Sequence, residues 1–415
     1  MSERPILIVG FVTPVLMALT GTEPDGSVVL VEEPDVIRKR DLRAKLAGST
    51  LVRELIEWEH ASPGTADEFY ATHRDLDPVA VVPLIEYATP FAARLAERYG
   101  LPGASLGAAQ ILRDKALLRK VSAAAGLANP ESATVTSPAE VLAFMGAHPG
   151  PVVLKPANRQ AAVGTRIIQD PAEVEQAWKS CVEQDEGIFV PDRPMPLSML
   201  VERYVHGPEY SVEMLVRGGR RLFANVTGKQ LYPGPRPVEL AHVVPADIPD
   251  ELTETLAEKT CQVVAAVGFA DGILHCEWIV SDGVPYLVEC AGRIAGDGIM
   301  EIIDRAYSMR LLRSYFVMMR GEPLPELPRR ATGGAAVRFV PMEPGVIDAV
   351  LGLEDARQAE GVFLVDIMVE PGHRFTELRS SWDRTGLVMA VADSPAEALR
   401  RAEKAAGLIR IEVSP

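Results

Sequence analysis

GILHCEWIVSDGVPYLVECAGR, residues 272–293, decides how the chain is read. Two apolar runs, Ile273–Val280 and Tyr286–Cys290, flank Asp282-Gly283, a hairpin-turn signal. With a loop over 282–284, Val280 pairs with Tyr286, Trp278 with Val288 and Cys276 with Cys290, which makes one face wholly apolar. On the other face Ile279 opposes Leu287, Glu277 opposes Glu289 and His275 opposes Ala291. Carboxylates directly opposed on neighbouring strands repel, at a cost of roughly 0.2–1 kcal/mol. A divalent cation between them removes that cost. A pair of hard oxygen ligands, completed by phosphate and water, is the pattern magnesium takes. The same spacing also reads as two exposed glutamates on the solvent side of a sheet, and a shorter loop shifts the pairing. Arg293 ends the run in a glycine-bearing loop beside the carboxylates. There a guanidinium suits phosphate oxygens or a developing oxyanion, or simply pairs with Glu289.

Upstream, Val152-Val-Leu is followed by Lys155, a lysine at the end of a buried strand that needs an anionic partner. Lys115 lies in a basic, helix-like stretch over 108–125. Each lysine alone also reads as a surface residue. The loop ANRQAAVGT, residues 157–165, has the small residues that let a backbone close on phosphates, although no GxxxxGK[ST] occurs. In MLVERYVHGPEYSV, residues 199–212, Glu202 and Glu209 flank a Gly-Pro turn between strands; such a pair can accept from an adenine amino group and ribose hydroxyls, or be ordinary strand-end acids. Residues 184–198, rich in Pro and acids, read as a surface connection. Gly218-Gly219 predicts a hairpin turn, Glu251–Val267 an amphipathic helix, and Pro395–Ala406 a final helix.

The N-terminal part alternates short apolar strands (Ile6–Val9, Val28–Val31, Val79–Leu84) with helices (from Val15, and Phe91–Tyr99), which predicts a small parallel sheet. Only a lone Gly10 follows the first strand, so the dinucleotide fingerprint is missing and an NAD enzyme is not expected. The GLPG turn at 100–103 marks a domain boundary. Four segments are expected: 1–105, 106–200, 201–330 and 331–415.

The chain has 415 residues, 47% hydrophobic and 24% charged, enough for two to three domains with a sizeable core. A net charge of −15 disfavours nucleic-acid backbones and anionic membranes as partners. Cys181, Cys261, Cys276 and Cys290 show no CxxC spacing and read as reduced thiols. Met1–Gly10 is too short for a signal-peptide core, and no run approaches the ~18 apolar residues of a membrane span. A cytoplasmic protein is expected.

Taken in order, these residues resemble the ATP-grasp superfamily. The order is Asp114-Lys115 on a helix, the Val-Leu-Lys-Pro strand with its loop, the Val-Glu-x-Tyr-x-x-Gly-x-Glu-Tyr-Ser-Val hinge, then His275-x-Glu277 and Glu289-x-x-x-Arg293. The resemblance covers roughly residues 100–345. It implies an α/β and α+β fold with an N-terminal parallel-sheet lobe, a central lid and a C-terminal antiparallel-sheet lobe. It also implies ATP with Mg2+, two ions by expectation. Lys115 and Lys155 then resemble phosphate-binding lysines, Glu202, Arg203 and Tyr204 the adenine hinge, and Glu209 the ribose ligand. Glu277 and Glu289 match the metal ligands, and Arg293 the arginine that steadies phosphate and the tetrahedral intermediate.

Within the superfamily the chain resembles the amino-acid ligases that make dipeptides, the group of the bacilysin-type alanine–anticapsin ligase. Lys229 resembles a basic residue of those enzymes, Glu239 and His242 their substrate-facing Glu-x-x-His segment, and Arg338 a basic residue for the second substrate's carboxylate. Asp297 falls where the first substrate's side chain lies. The implied activity is an acid–amino-acid ligase working through an acyl phosphate, with Lys155, Lys229 and Arg293 in catalysis, small amino-acid substrates, and a homodimer as one assembly. Two features depart from the pattern. Ala291 stands where most of the superfamily has asparagine, and Ala161-Ala162 where many have Gly or Ser. Alternatives are a biotin-carboxylase-like or purine-pathway enzyme acting on another small carboxylate, and a nucleotide-binding protein without chemistry.

Overall fold

The computed structural model describes residues 4–415. The first three residues of the predicted 1–105 segment, and of the Met1–Gly10 stretch weighed as a targeting signal, lie outside the described residues.

The N-terminal strands β1 (Ile6–Val9), β2 (Val28–Glu32), β3 (Val52–Glu57) and β4 (Ala80–Pro83) form a parallel sheet in the order β3-β2-β1-β4. The inner strands are apolar throughout because both faces are covered. Ile6 and Ile8 face the core shared with the rest of the molecule, while Leu7 and Val9 pack on Phe69 and Phe91 of the outer helices. The edge strand β3 is missing from the sequence reading. Its Val-Arg-Glu-Leu-Ile-Glu pattern is half polar because it has one neighbour and more water.

β5 (Ser132–Val135), β6 (Val152–Pro156), β7 (Arg166–Ile168) and β8 (Met199–Arg203) form a second, antiparallel sheet in the order β5-β8-β6-β7. Helices Pro138–Ala147 and Val174–Glu183 cover one face. β8 straddles the expected 200/201 boundary. The stretch expected as one helix over 108–125 is two, Leu106–Arg113 and Lys115–Ala124, broken at Asp114. Asp114 is extended, and its carboxylate accepts from the Ala116 and Leu117 amides, so capping the second helix outweighs continuing the first.

β9 (Glu209–Arg217), β10 (Arg220–Leu231), β11 (Glu239–Val244), β12 (Gly272–Ser281), β13 (Val284–Ala291) and β14 (Gly334–Phe339) are followed by β15 (Gly345–Leu351), β16 (Val362–Ile367), β17 (Arg374–Phe375), β18 (Gly386–Ala392) and β19 (Arg410–Ser414). One eight-stranded sheet runs β13-β12-β9-β10-β11-β14-β18-β16, and β17-β15-β19 make a small separate one. Strands from 331–415 thus extend the same sheet that carries the decisive hairpin. Among the described residues no helix is long and apolar enough to cross a membrane. The four cysteines are free thiols, all but Cys261 buried.

The hairpin differs from expectation in an informative way. Its turn is Asp282-Gly283 alone, with φ of +50° and +77°, the left-handed pair that a tight two-residue turn needs. Ser281 therefore pairs with Val284, Val280 with Pro285, Ile279 with Tyr286 and Trp278 with Leu287, one place off the expected register. A bulge between Glu277 and Trp278 then absorbs the shift, and Glu277 opposes Glu289, Cys276 opposes Cys290 and His275 opposes Ala291. The bulge also exchanges two side chains: Leu287 enters the core with Trp278, and Val288 lines the cleft.

Candidate active site

A cavity of about 470 Å3 lies where the three large sheets meet, within the usual range for a small-molecule site. The ends of β1 and β2, the loop after β6, the connection between β8 and β9, and the inner face of the eight-stranded sheet all line it. Every residue expected in the site lines it except Arg338. On β14, Arg338 alternates with Val337 and Phe339, which face the core, and points to the other side of the sheet. From the C-terminal segment it is Arg384 that lines the cavity, which sequence reasoning missed.

The opposed carboxylates are each met by an ammonium. Lys229 reaches across from β10 to ion-pair with Glu277, lies 3.1 Å from Glu209 and is 3.8 Å from Glu239. Burial pushes Lys229 down, but its three glutamates raise it well above its usual value. Burial pushes Glu209 up, and the nearby Glu277 and Glu239 add to this against the pull of Lys229, leaving it at about 7. Burial likewise favours neutral Glu277, yet Lys229 and His275 outweigh it and hold the carboxyl well below its usual range. His275 bridges Glu277 (3.2 Å) and the fully buried Glu213 (2.9 Å). Lys115 Nζ, at the first residue of its helix, pairs with Glu289 at 2.9 Å and donates to the Arg159 carbonyl.

The cluster around Lys229 therefore carries more carboxylates than ammoniums, and an additional cation is what it calls for. Among the described residues no group of three or more His, Cys, Asp or Glu forms a metal cage. Two opposed carboxylates without a cage fit magnesium, which takes few protein oxygens and completes its shell with phosphate and water. They do not fit a structural zinc site.

Lys155, the penultimate residue of β6, pairs with Glu202 at 2.7 Å; Glu202 also takes Arg119 at 2.6 Å. Burial, aided by the nearby Arg119 and Lys115, lowers Lys155 despite the pull of Glu202. The Glu202 carboxylate is thus engaged by two cations and positions Lys155. Arg203, at the exposed rim, pairs with Glu131 (2.9 Å), and Tyr204 packs edge-on against His206. Arg293 is not paired with Glu289. Its partner is Glu86, 3.2 Å away in the N-terminal lobe. Burial opposes the Glu86 charge, and Lys115, Arg113 and Arg293 overcome it. A single glutamate in a Pro-Leu-Ile-Glu-Tyr run carried no signal of this.

At the far wall, His242 Nε2 lies 3.0 Å from Asp297, and Arg384 grips Asp297 with both terminal nitrogens. Glu239 accepts from the Ser381 hydroxyl at 3.0 Å and lies 3.7 Å from Arg384. Residues 184–198 prove more than a surface connection. Glu186 is buried against Tyr87, Phe189 lines the cavity, and Arg193 clasps Glu33 at 2.7 and 2.8 Å.

A profile described as "ATP-grasp domain" matches residues 148–301, and one described as "L-amino acid ligase C-terminal domain 2" matches 338–414. The chain carries an ATP-grasp domain followed by an L-amino acid ligase C-terminal domain. The first profile covers the loop after β6, the connection between β8 and β9 and the opposed glutamates, and the second covers the segment that supplies Arg384. Uncharacterized protein y4rH of Sinorhizobium fredii is 26% identical over 339 residues, covering 79% of this chain and 66% of that protein. Dapdiamide A synthase of Enterobacter agglomerans is 24% identical over 294 residues, 68% of each. The chain thus spans about two thirds of the length of these relatives. The crystal structure of an L-amino acid ligase from Bacillus licheniformis superposes with a TM-score of 0.81 at 19% identity, over 100% of this chain and 99% of that one, and shares the ATP-grasp fold.

Proposed function

We propose that this protein joins two amino acids through an amide bond, using ATP to activate one carboxylate as an acyl phosphate and releasing ADP and phosphate. The observation that carries the reading is the opposed Glu277–Glu289 pair, set in one cavity with Lys115, Lys155, Lys229 and Arg293. The names of relatives with known products add support, as does the ligase C-terminal domain.

An oxygen of the first amino acid's carboxylate attacks the γ-phosphorus, and the bond from that phosphorus to ADP breaks. Lys155, held by Glu202, and Lys115, held by Glu289, offset charge on the transferred group. Glu277 and Glu289 would hold magnesium, which would supply further charge neutralisation. The second amino acid's nitrogen, as the free amine, then attacks the acyl carbon, phosphate leaves with the C–O electron pair, and the proton on nitrogen passes to the departing phosphate or to water. Arg293, fixed by Glu86, is placed to stabilise the tetrahedral oxyanion. Glu239 and Asp297 suit the ammonium of the first amino acid, with His242 oriented by Asp297. ATP contacts are assigned to Arg203, Tyr204 and Glu209 as well. Two magnesium ions, a homodimer and a cytoplasmic location complete the proposal.

Glu289→Gln removes one carboxylate charge at nearly constant shape. Amine-dependent phosphate release should vanish while far-UV circular dichroism stays as in the wild type. Retained turnover would exclude Glu289 as a metal ligand. Turnover dependent on bicarbonate rather than on two amino acids would favour the carboxylase-like reading instead.

A further inference from the structure

Most cations lining the cavity are matched by carboxylates. Lys115, Lys155, Lys229, Arg293 and Arg384 all make ion pairs within it, and Arg203 pairs at its rim. Among the described residues two lining cations make no ion pair, Arg159 and Arg40. Arg159 belongs to the loop after Lys155, on the phosphate side. Arg40 stands in the N-terminal lobe, just past the helix Pro34–Lys39.

The Arg40 guanidinium is set between two rings, 4.9 Å from the Phe11 centroid and 5.0 Å from that of Phe189. Its one hydrogen bond goes from Nη1 to the Phe11 carbonyl at 3.0 Å. A guanidinium has five N–H donors, so donors remain for a ligand. The acid whose charge acts on it, Glu32, is itself occupied: its oxygens accept from the Phe11 amide (2.8 Å) and the Glu33 amide (2.9 Å), and one lies 3.0 Å from His60. Phe189 in turn stacks on Trp382, centroids 4.1 Å apart. The N-terminal lobe, the 184–198 segment and the C-terminal segment therefore converge on one half-buried guanidinium with aromatic walls. A charge in such surroundings calls for an anion.

We infer that Arg40 binds the α-carboxylate of the amine-donating amino acid, and that its aromatic or large apolar side chain packs against Trp382 and the ring edges of Phe11 and Phe189 left open by Arg40. This rests on the ligase reading above. It gives the role expected of Arg338 to a residue on the opposite lobe. Arg384 is unsuited to it, being held by Asp297, Glu239 and the Ser381 carbonyl.

The test compares phenylalanine with phenylalaninamide as acceptor, with Mg-ATP and the first amino acid saturating. The wild type should prefer the acid by on the order of 10- to 100-fold in kcat/KM, the range of a charged hydrogen-bonding pair, with the difference mostly in KM. Arg40→Leu should abolish that preference by raising KM for the acid. Arg40→Lys should restore part of it, which a merely structural role would not do. Equal use of acid and amide by the wild type, or an undiminished preference in Arg40→Leu, would overturn the assignment. Hydroxylamine in place of the second amino acid traps the acyl phosphate as a hydroxamate. Wild-type hydroxamate with no acid-over-amide preference defeats the Arg40 assignment alone; no hydroxamate with any amino acid defeats the ligase reading and the assignment with it.

Discussion

Replacing Lys229 with methionine keeps all but the last atom of the side chain's reach and removes its charge. The wild-type side chain is 1% exposed and serves three glutamates at once. Without it the cleft holds Glu209, Glu239 and Glu277 with their shared cation gone. Deleting one partner of a buried ion pair costs about 3–5 kcal/mol. Proton uptake is the relief available. Glu209 already sits at about 7 against a usual 4.5 while Lys229 opposes the rise, so in the variant it moves higher. A carboxyl with a raised folded-state pKa binds more protons folded than unfolded, so stability falls as pH climbs from the unfolded value through the folded one. The wild type shares that fall up to about pH 7, so the deficit of Lys229→Met should be level from about pH 5.5 to 7 and grow above it, toward the full ~3–5 kcal/mol. Urea unfolding without nucleotide, at several pH values across that range, measures it. Added Mg2+ should stabilise the variant more than the wild type, since it has the larger carboxylate excess. A deficit under about 1 kcal/mol at pH 8, or one that ignores pH, would refute the view that Lys229 balances this cluster.

Ala161 and Ala162 both hold left-handed φ, +55° and +57°, which costs a residue with a Cβ about 1 kcal/mol each; Ala161→Gly should raise the urea midpoint slightly, and a clear fall would contradict it. Burial raises Asp304 to about 7, with its carboxylate accepting from the Leu311 amide. Its folded-state pKa exceeds its unfolded one, so wild-type stability declines from about pH 4 to pH 7. Asp304→Asn keeps the acceptor and should show a shallower decline by ~1–2 kcal/mol, discounted for partial exposure; parallel pH profiles would contradict this. Arg193→Ala leaves Glu33 buried without its partner and frees the 184–198 segment, so chymotrypsin should cut after Phe189 faster than in the wild type. An unchanged cleavage rate would show that other contacts hold the segment.

What could be read from the chain was set by local pattern. The N-terminal strands β1, β2 and β4 are continuous apolar runs because both faces are buried, whereas edge strand β3 mixes Arg53, Glu54 and Glu57 with its apolar residues and gave no such signal. The Glu277–Glu289 opposition follows from turn chemistry and alternation. Its survival depends on a bulge, which no pattern announced: the two-residue turn alone would have put the two acids out of register. Pairings between distant segments were not legible. Glu86 on Arg293, Arg384 on Asp297 and Arg40 between Phe11 and Phe189 join residues far apart in sequence, and each side chain by itself is an ordinary surface type. Arg338 and Arg384 illustrate the limit. Both are arginines beside apolar strands, and only sheet alternation and the packing of the 381–384 turn decide which one reaches the cavity.

The central claim is ATP-driven joining of two amino acids. Its most direct test is phosphate release with Mg-ATP over a panel of single amino acids and pairs, with mass spectrometry of the products. The account predicts ADP and phosphate formed in step with a product whose mass is the sum of two amino acids less one water. Phosphate release with bicarbonate or another small carboxylate alone, and no such product from any pair, would contradict it.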